Sequence, residues 1–208
     1  MCSHYEAPTA EHLTDAFGGP DQLALQLDLW PGYQGAFVRT AQGNPDTEFE
    51  LLPGIFGLLP AWAKDQKLAR HTYNARTETV AEKPSFRNAW RKAQHCIIPA
   101  AAIYEPDWRS GKAVPTRFTR ADGGMMCIAG LWEEWTDPAG QRIHSYSMLT
   151  INAEEHLLFR DYHRPEDEKR MVVILPNGVI RDWLKASPAN SMEFMRQYPA
   201  DRLNATSE

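Results

Sequence analysis

Cys2 stands directly after the initiator methionine, and that position gives it two nucleophiles once Met1 is removed. A small residue at position 2 is a common context for the removal, which leaves a thiol and an α-amine on one residue. The α-amine titrates at about 7.7–8.0, so a useful fraction is neutral and nucleophilic near pH 7. Such a 1,2-aminothiol condenses with an aldehyde to an imine, and sulfur then closes a five-membered thiazolidine. A lysine or an internal cysteine cannot close that ring. The competing reading is a cysteine placed by chance on a loose terminus.

Asn74, Arg76 and Glu78 alternate along TYNARTETV, and on an extended segment alternate side chains share a face. The Asn amide donates and accepts, and the Arg fork suits phosphate oxygens. A turn-forming Asn beside a surface ion pair fits the same letters. Glu105 follows the apolar run IIPAAAIY, where partial desolvation raises a carboxyl pKa toward acid/base duty. Pro106 beside it argues instead for a strand end and an exposed carboxylate. His163 precedes a charged loop, and imidazole suits proton transfer near neutral pH; a histidine beside Tyr162 is also a common packing arrangement. His4, two positions from Cys2, is placed to lower the thiol pKa. Cys96 and Cys127 lie in apolar runs and read as small buried hydrophobes. The histidines are scattered, and no HExxH, CxxC, phosphate-cradling glycine loop or GxSxG elbow occurs, so neither metal nor cofactor is expected.

The elements that must hold these residues read as an α+β domain. A loop and short helix are expected over 14–29, and GAFVRT (35–40) as a strand ending in the turn QGNPD (42–46). TEFELLPGIFGLLPAW (47–62) reads as a buried, bent segment broken by its prolines and glycines. SFRNAWRKAQ (85–94) has the apolar spacing of a helix capped by Ser85. Strands follow at 95–106, 115–121, 125–135, 143–153 and 170–176, joined by RSGK, DGG, DPAG and RPEDEK. GVIRDWLKA and SMEFMRQY read as closing helices, with a frayed tail from about residue 200. Consecutive strands with short turns predict one domain over 1–208, a mainly antiparallel sheet with flanking helices.

A chain of 208 residues, 43% hydrophobic and 24% charged, is long enough and apolar enough to bury its own core. No run approaches the roughly 18 apolar residues of a membrane helix, and the opening segment lacks a signal-peptide core, which points to the cytoplasm. Three cysteines without paired spacing fit a reducing compartment. The net charge is -5, yet residues 64–94 hold eight bases against three acids. That stretch therefore carries +5 and the remainder -10, which is compatible with a phosphate-binding groove or with a solvated helix face.

Taken in order, MC at the start, GLLPAW (57–62), NARTETV (74–80), FRNAW (86–90), CIIPAAAIYEP (96–106), AGLWEEW (129–135), the strand end 150–153 and the H…RMVVIL segment resemble the SRAP family. These are the SOS-response-associated peptidases, or abasic-site processing proteins. The resemblance spans about residues 1–185, and the ordered set carries it more than any single motif. It implies a barrel-like central sheet and a positively charged groove leading to Cys2. It implies covalent crosslinking to abasic sites in single-stranded DNA during the DNA damage response, by a monomer that joins the nucleoid when bound. It also carries an older label, a thiol autopeptidase (hydrolase or lyase-like) that removes the residue before Cys2. Transferred by position, Cys2 is the nucleophile, Asn74 holds the reacting sugar or the cysteine, and Glu105 assists proton transfer at the amine. His163 opens the sugar ring to its aldehyde. Arg76 matches a phosphate-contacting position, and Arg87, Thr150 and Arg170 are assigned to the same DNA path. Trp62 and Phe56 supply a wall on which bases stack.

The chain departs from the family pattern in three places. Ser3 and His4 stand where Gly and Arg are usual, so one phosphate contact is not carried over. Phe56 replaces a tryptophan, and six residues separate His163 from Arg170, with Val172 where proline is usual and His156 the weaker match. Two competing functions remain at this stage. One is a thiol peptidase acting on protein; the other is a non-catalytic single-strand binder using the 64–92 stripe.

Overall fold

The structure, a computed structural model, describes residues 2–18, 26–43 and 47–207. Met1, and parts of the expected loop at 14–29 and of the QGNPD turn, lie outside the described residues. The described chain runs through β1 (His4–Glu6), α1 (Ala10–Phe17), β2 (Asp28–Leu29), β3 (Gln34–Thr40), β4 (Phe49–Phe56) and β5 (Asn74–Arg76). It continues with α2 (Arg87–Arg91), β6 (His95–Ala100), β7 (Ala102–Asp107), β8 (Val114–Arg120), β9 (Met126–Thr136) and β10 (Arg142–Asn152). The last elements are β11 (Arg170–Val172), β12 (Ile174–Leu175), α3 (Ile180–Lys185) and β13 (Leu203–Ser207).

Two sheets result. In the larger, β10, β4, β3, β6 and β9 pair in turn and β9 returns to β10, closing a five-stranded barrel with β5, β11 and β12 at its margins. The smaller has the order β13-β8-β7-β1-β2. Only β10 with β4 and β10 with β5 are parallel among the described pairings. The expected α+β, mainly antiparallel, barrel-like architecture is what the chain adopts.

The apolar runs explain the barrel. Residues 126–133 of β9 are all buried, α2 packs on β9, and α3 packs on β6, so these strands read as continuous apolar runs and not as alternation. Gly130 lets three strands meet. A Cβ there would lie 2.2 Å from Ile98 Cδ1 and 2.6 Å from the Ser147 carbonyl oxygen. Gly57, at φ +123°, turns the chain out of β4 where a Cβ would sit 2.1 Å from the Ala69 carbonyl oxygen. One hydrophobic cluster takes in residues from Cys2 to Leu203. Among the described residues no helix is long and apolar enough to cross a membrane.

Several expectations about local structure are corrected. The short helix begins earlier, at Ala10, because the Thr9 hydroxyl caps it by accepting the His12 N–H. Ser85 does not cap α2; the Lys83 carbonyl accepts from the Phe86 and Arg87 N–H groups, and this turn through Pro84 starts the helix. SMEFMRQY is not an α-helix: a 3₁₀ segment over Pro188–Phe194 ends inside it, where the Ser191 hydroxyl contacts His95 and the Ser187 carbonyl. The tail is not frayed. Residues 203–207 pair in register with β8 from Leu203 opposite Arg120 to Ser207 opposite Thr116. Polar NATS is what an exposed edge strand carries, since only Leu203 of β13 is buried.

Candidate functional site

Cys2 does not sit on a loose terminus. β1 is an inner strand, with His4 opposite Tyr104 of β7 and Tyr5 opposite both Ile103 and Leu29. These two ladders draw Cys2 inward, where it is 1% exposed. Its Sγ lies 3.3 Å from the His4 carbonyl oxygen. The Asn74 amide donates to the Cys2 carbonyl at 2.8 Å. Asn74 reaches it because β5 runs parallel to β10, Asn74 opposite Met148 and Arg76 opposite Thr150. The site is thus a seam: one sheet delivers the cysteine, the barrel delivers its anchor.

Glu105 corrects the reading of an exposed carboxylate. Pro106 does not end the strand; it sits opposite Pro115 of β8, a pairing in which neither partner has an N–H to leave unsatisfied. Glu105 is therefore inside β7, 1% exposed, and burial pushes its carboxyl up to about 7. His163 approaches it from the segment after β10. Its N–H donates to the Pro106 carbonyl at 2.9 Å, and its Nε2 lies 3.3 Å from Glu105 Oε2 and 3.4 Å from the Arg170 carbonyl oxygen. Burial pushes the imidazole down to about 4. The backbone at His163 is left-handed, φ +66°, a conformation that costs a non-glycine residue energy and clusters at functional positions.

Burial, and next the neighbouring Glu105, hold the Cys2 thiol well above the ordinary thiol range. At neutral pH burial therefore favours a protonated thiol and an uncharged imidazole beside a carboxyl whose pKa is raised toward neutrality. That last property is what proton transfer requires, because a group titrating near the working pH both gives and takes. Among the described residues no group of three or more His, Cys, Asp or Glu side chains is placed to hold a metal ion.

A model of the SRAP family, described as SOS response associated peptidase, matches residues 1–207. The chain belongs to the SRAP family. It is 33% identical over 214 residues to the abasic site processing protein YoaM of Bacillus subtilis, covering 99% of this chain and 89% of that protein. It is 34% identical to YoqW of the same organism over 154 residues, 72% of this chain but only 65% of YoqW. A crystal structure of a Bordetella bronchiseptica protein superposes with a TM-score of 0.90 at 51% identity, covering 100% of this chain and 99% of that one.

Around this SRAP seam the residues assigned to DNA fall into two groups. Trp62 is 56% exposed, and all eight bases of the 64–92 stripe, Arg76 and Arg87 included, are on the surface. Phe56, Thr150 and Arg170 are corrected. Phe56 ends β4 with its ring fully buried against Tyr5, Tyr73 and Tyr146, so it offers no face to a base. Arg170 is 2% exposed; it donates to Glu78, Glu168 and Thr150, and Thr150 is itself 1% exposed. Together they brace β10 to β11 beneath His163. Arg76 reaches Glu168 at 2.8 Å, so the acidic loop after His163 lies against the expected phosphate contact. Sequence reading missed Glu168 because an ion pair across 92 residues leaves no local signal. It also missed the surroundings of His4, whose ring stacks between Trp30 and Tyr104.

Proposed function

We propose that the chain processes abasic sites in single-stranded DNA by capturing the ring-opened sugar at Cys2. The names of YoaM and YoqW support abasic sites as the target, and one observation carries the chemistry: Cys2, Asn74, Glu105 and His163 meet at a single seam. With Met1 gone, the α-amine attacks the sugar aldehyde and the carbinolamine loses water to an imine. Sγ then adds to the imine carbon, its proton passes to nitrogen, and a thiazolidine forms with one water released overall.

The site's electrostatics support this order. The thiol stays protonated, so the amine attacks first and sulfur follows with its proton. Glu105 takes the proton from the attacking amine and returns one to the departing hydroxyl. His163, uncharged, moves the proton that opens the sugar ring. Asn74 holds the Cys2 carbonyl and so fixes both nucleophiles. A thiol peptidase needs a thiolate, which burial and Glu105 disfavour here.

The test is a denaturing gel with mass spectrometry on single-stranded oligonucleotides with and without an abasic site. The expected result is a shifted species in the abasic lane alone, at the summed mass less one water. It is abolished by Cys2→Ala and by blocking Met1 removal. Absence of that species overturns the proposal. Peptide cleavage without an adduct points to the peptidase, and salt-sensitive binding indifferent to abasic sites and to Cys2 points to the plain binder.

A further inference from the structure

Two residues after Cys2, the His4 ring is clamped between Trp30 and Tyr104. Both ring centroids are 4.1 Å away, with interplanar angles of 11° and 12°. Asp28 locks this stack. One of its carboxylate oxygens meets His4 Nε2 and the other accepts the Trp30 indole N–H at 3.3 Å. Asp28 is itself fixed by the pairing of β2 with β1, opposite Glu6. The turn beyond is closed by the Tyr33 N–H donating to the Trp30 carbonyl at 2.9 Å. The stack ends in the open: Trp30 is 41% exposed, and Tyr33 on the same turn 45%. Arg70 runs beside the turn, its Cγ 3.9 Å from where a Gly32 Cβ would stand, and it is on the surface.

Three near-parallel rings held by a carboxylate form a platform whose outermost ring, Trp30, is partly exposed. A flat π-system is the ligand that such a surface accepts without reorganisation, and a cation beside it suits a phosphate. We propose that Trp30 is the stacking site for the nucleobase adjoining the abasic residue, with Arg70 meeting the strand's phosphate backbone. This rests on the reading of Cys2 given above: His4, the middle ring of the stack, stands two residues from Cys2, roughly 7 Å along an extended chain, which makes the base a neighbour of the captured sugar. The occupant is a base of the same single strand.

Binding is measured by fluorescence anisotropy on oligonucleotides carrying a central tetrahydrofuran residue, an abasic analogue with no aldehyde. The base on one side or the other is either present or replaced by a second tetrahydrofuran. The wild-type protein is expected to prefer the base-bearing strand by roughly tenfold on one side. Trp30→Ala and Trp30→Leu both lose the preference, and Trp30→Phe keeps most of it. The leucine variant retains an apolar cover if the alanine variant fails to fold. Wild-type binding indifferent to either neighbouring base, or a preference surviving in Trp30→Leu, overturns the platform. Adduct formation on a true abasic strand is read separately. Its absence in the wild type sinks the capture chemistry while the base preference still stands or falls on its own measurement.

Discussion

His95 and His163 are both buried, and burial pushes both imidazoles down to about 4. Their surroundings differ. His95 has Nδ1 3.0 Å from the Trp183 carbonyl oxygen and Nε2 2.9 Å from the Ser191 hydroxyl, with its ring stacked 3.9 Å from Trp183. Both nitrogens meet groups that never change charge near neutral pH, on relaxed strand backbone. His163 meets a carboxyl that titrates near 7, on a left-handed residue. An equal pKa shift therefore does not by itself separate their roles. A titratable partner and a strained backbone distinguish the histidine that can pass a proton from the one that locks α3 and the 188–194 segment onto β6.

That contrast can be broken by substitution. Glu105→Gln is expected to have the largest effect, slowing adduct formation by about 10²- to 10⁴-fold in quenched time courses on abasic DNA, as loss of an acid/base group does. It should also change the pH dependence of stability. The Glu105 carboxyl is raised in the folded state, so its contribution is present below its ordinary value of 4.5 and is lost as pH rises through about 7. Urea denaturation should show the Gln variant gaining on the wild type between pH 4.5 and 7; parallel curves would contradict a buried Glu105.

His163→Asn should slow capture by about 10²-fold while keeping the fold, because asparagine tolerates the left-handed region. His95→Ala should do the reverse. It should cost about 2 kcal/mol in urea melts by leaving a cavity and buried polar groups without partners, with the capture rate unchanged where the protein is folded. Should His95→Ala slow capture by itself, or His163→Asn unfold the protein without slowing it, the distinction collapses.

The strands at 125–135 and 143–153 were legible because their apolar and aromatic runs announce burial, whereas 95–106, read as one strand, is two, β6 in the barrel and β7 in the smaller sheet. β13 was not legible, since LNATS owes its order to backbone pairing with β8 and not to its own side chains. Glu105 had two local readings for a related reason: Pro106 is a local signal for a strand end, overridden by Pro115 across the ladder. Phe56 was assigned to the DNA wall by its place in the family motif, where a tryptophan is usual, yet strand pairing turns the ring into the core. Cys2, Asn74 and His163 were legible only as an ordered pattern along the chain. Nothing local states that β1 will be an inner strand, and that placement is what makes the cysteine a site.

β1 is the first strand made, and it is paired on both sides, by β7 and by β2. During translation Cys2 leaves the ribosome long before Asn74, Glu105 and His163. At typical synthesis speeds the delay to His163 is on the order of 10–30 s. The seam closes only after β7, β5 and the 163–170 segment have arrived, so an unfinished or truncated chain carries the cysteine without its helpers. On the function proposed above, placing Cys2 at the start and Asn74, Glu105 and His163 later in the sequence ties assembly of the site to completed folding.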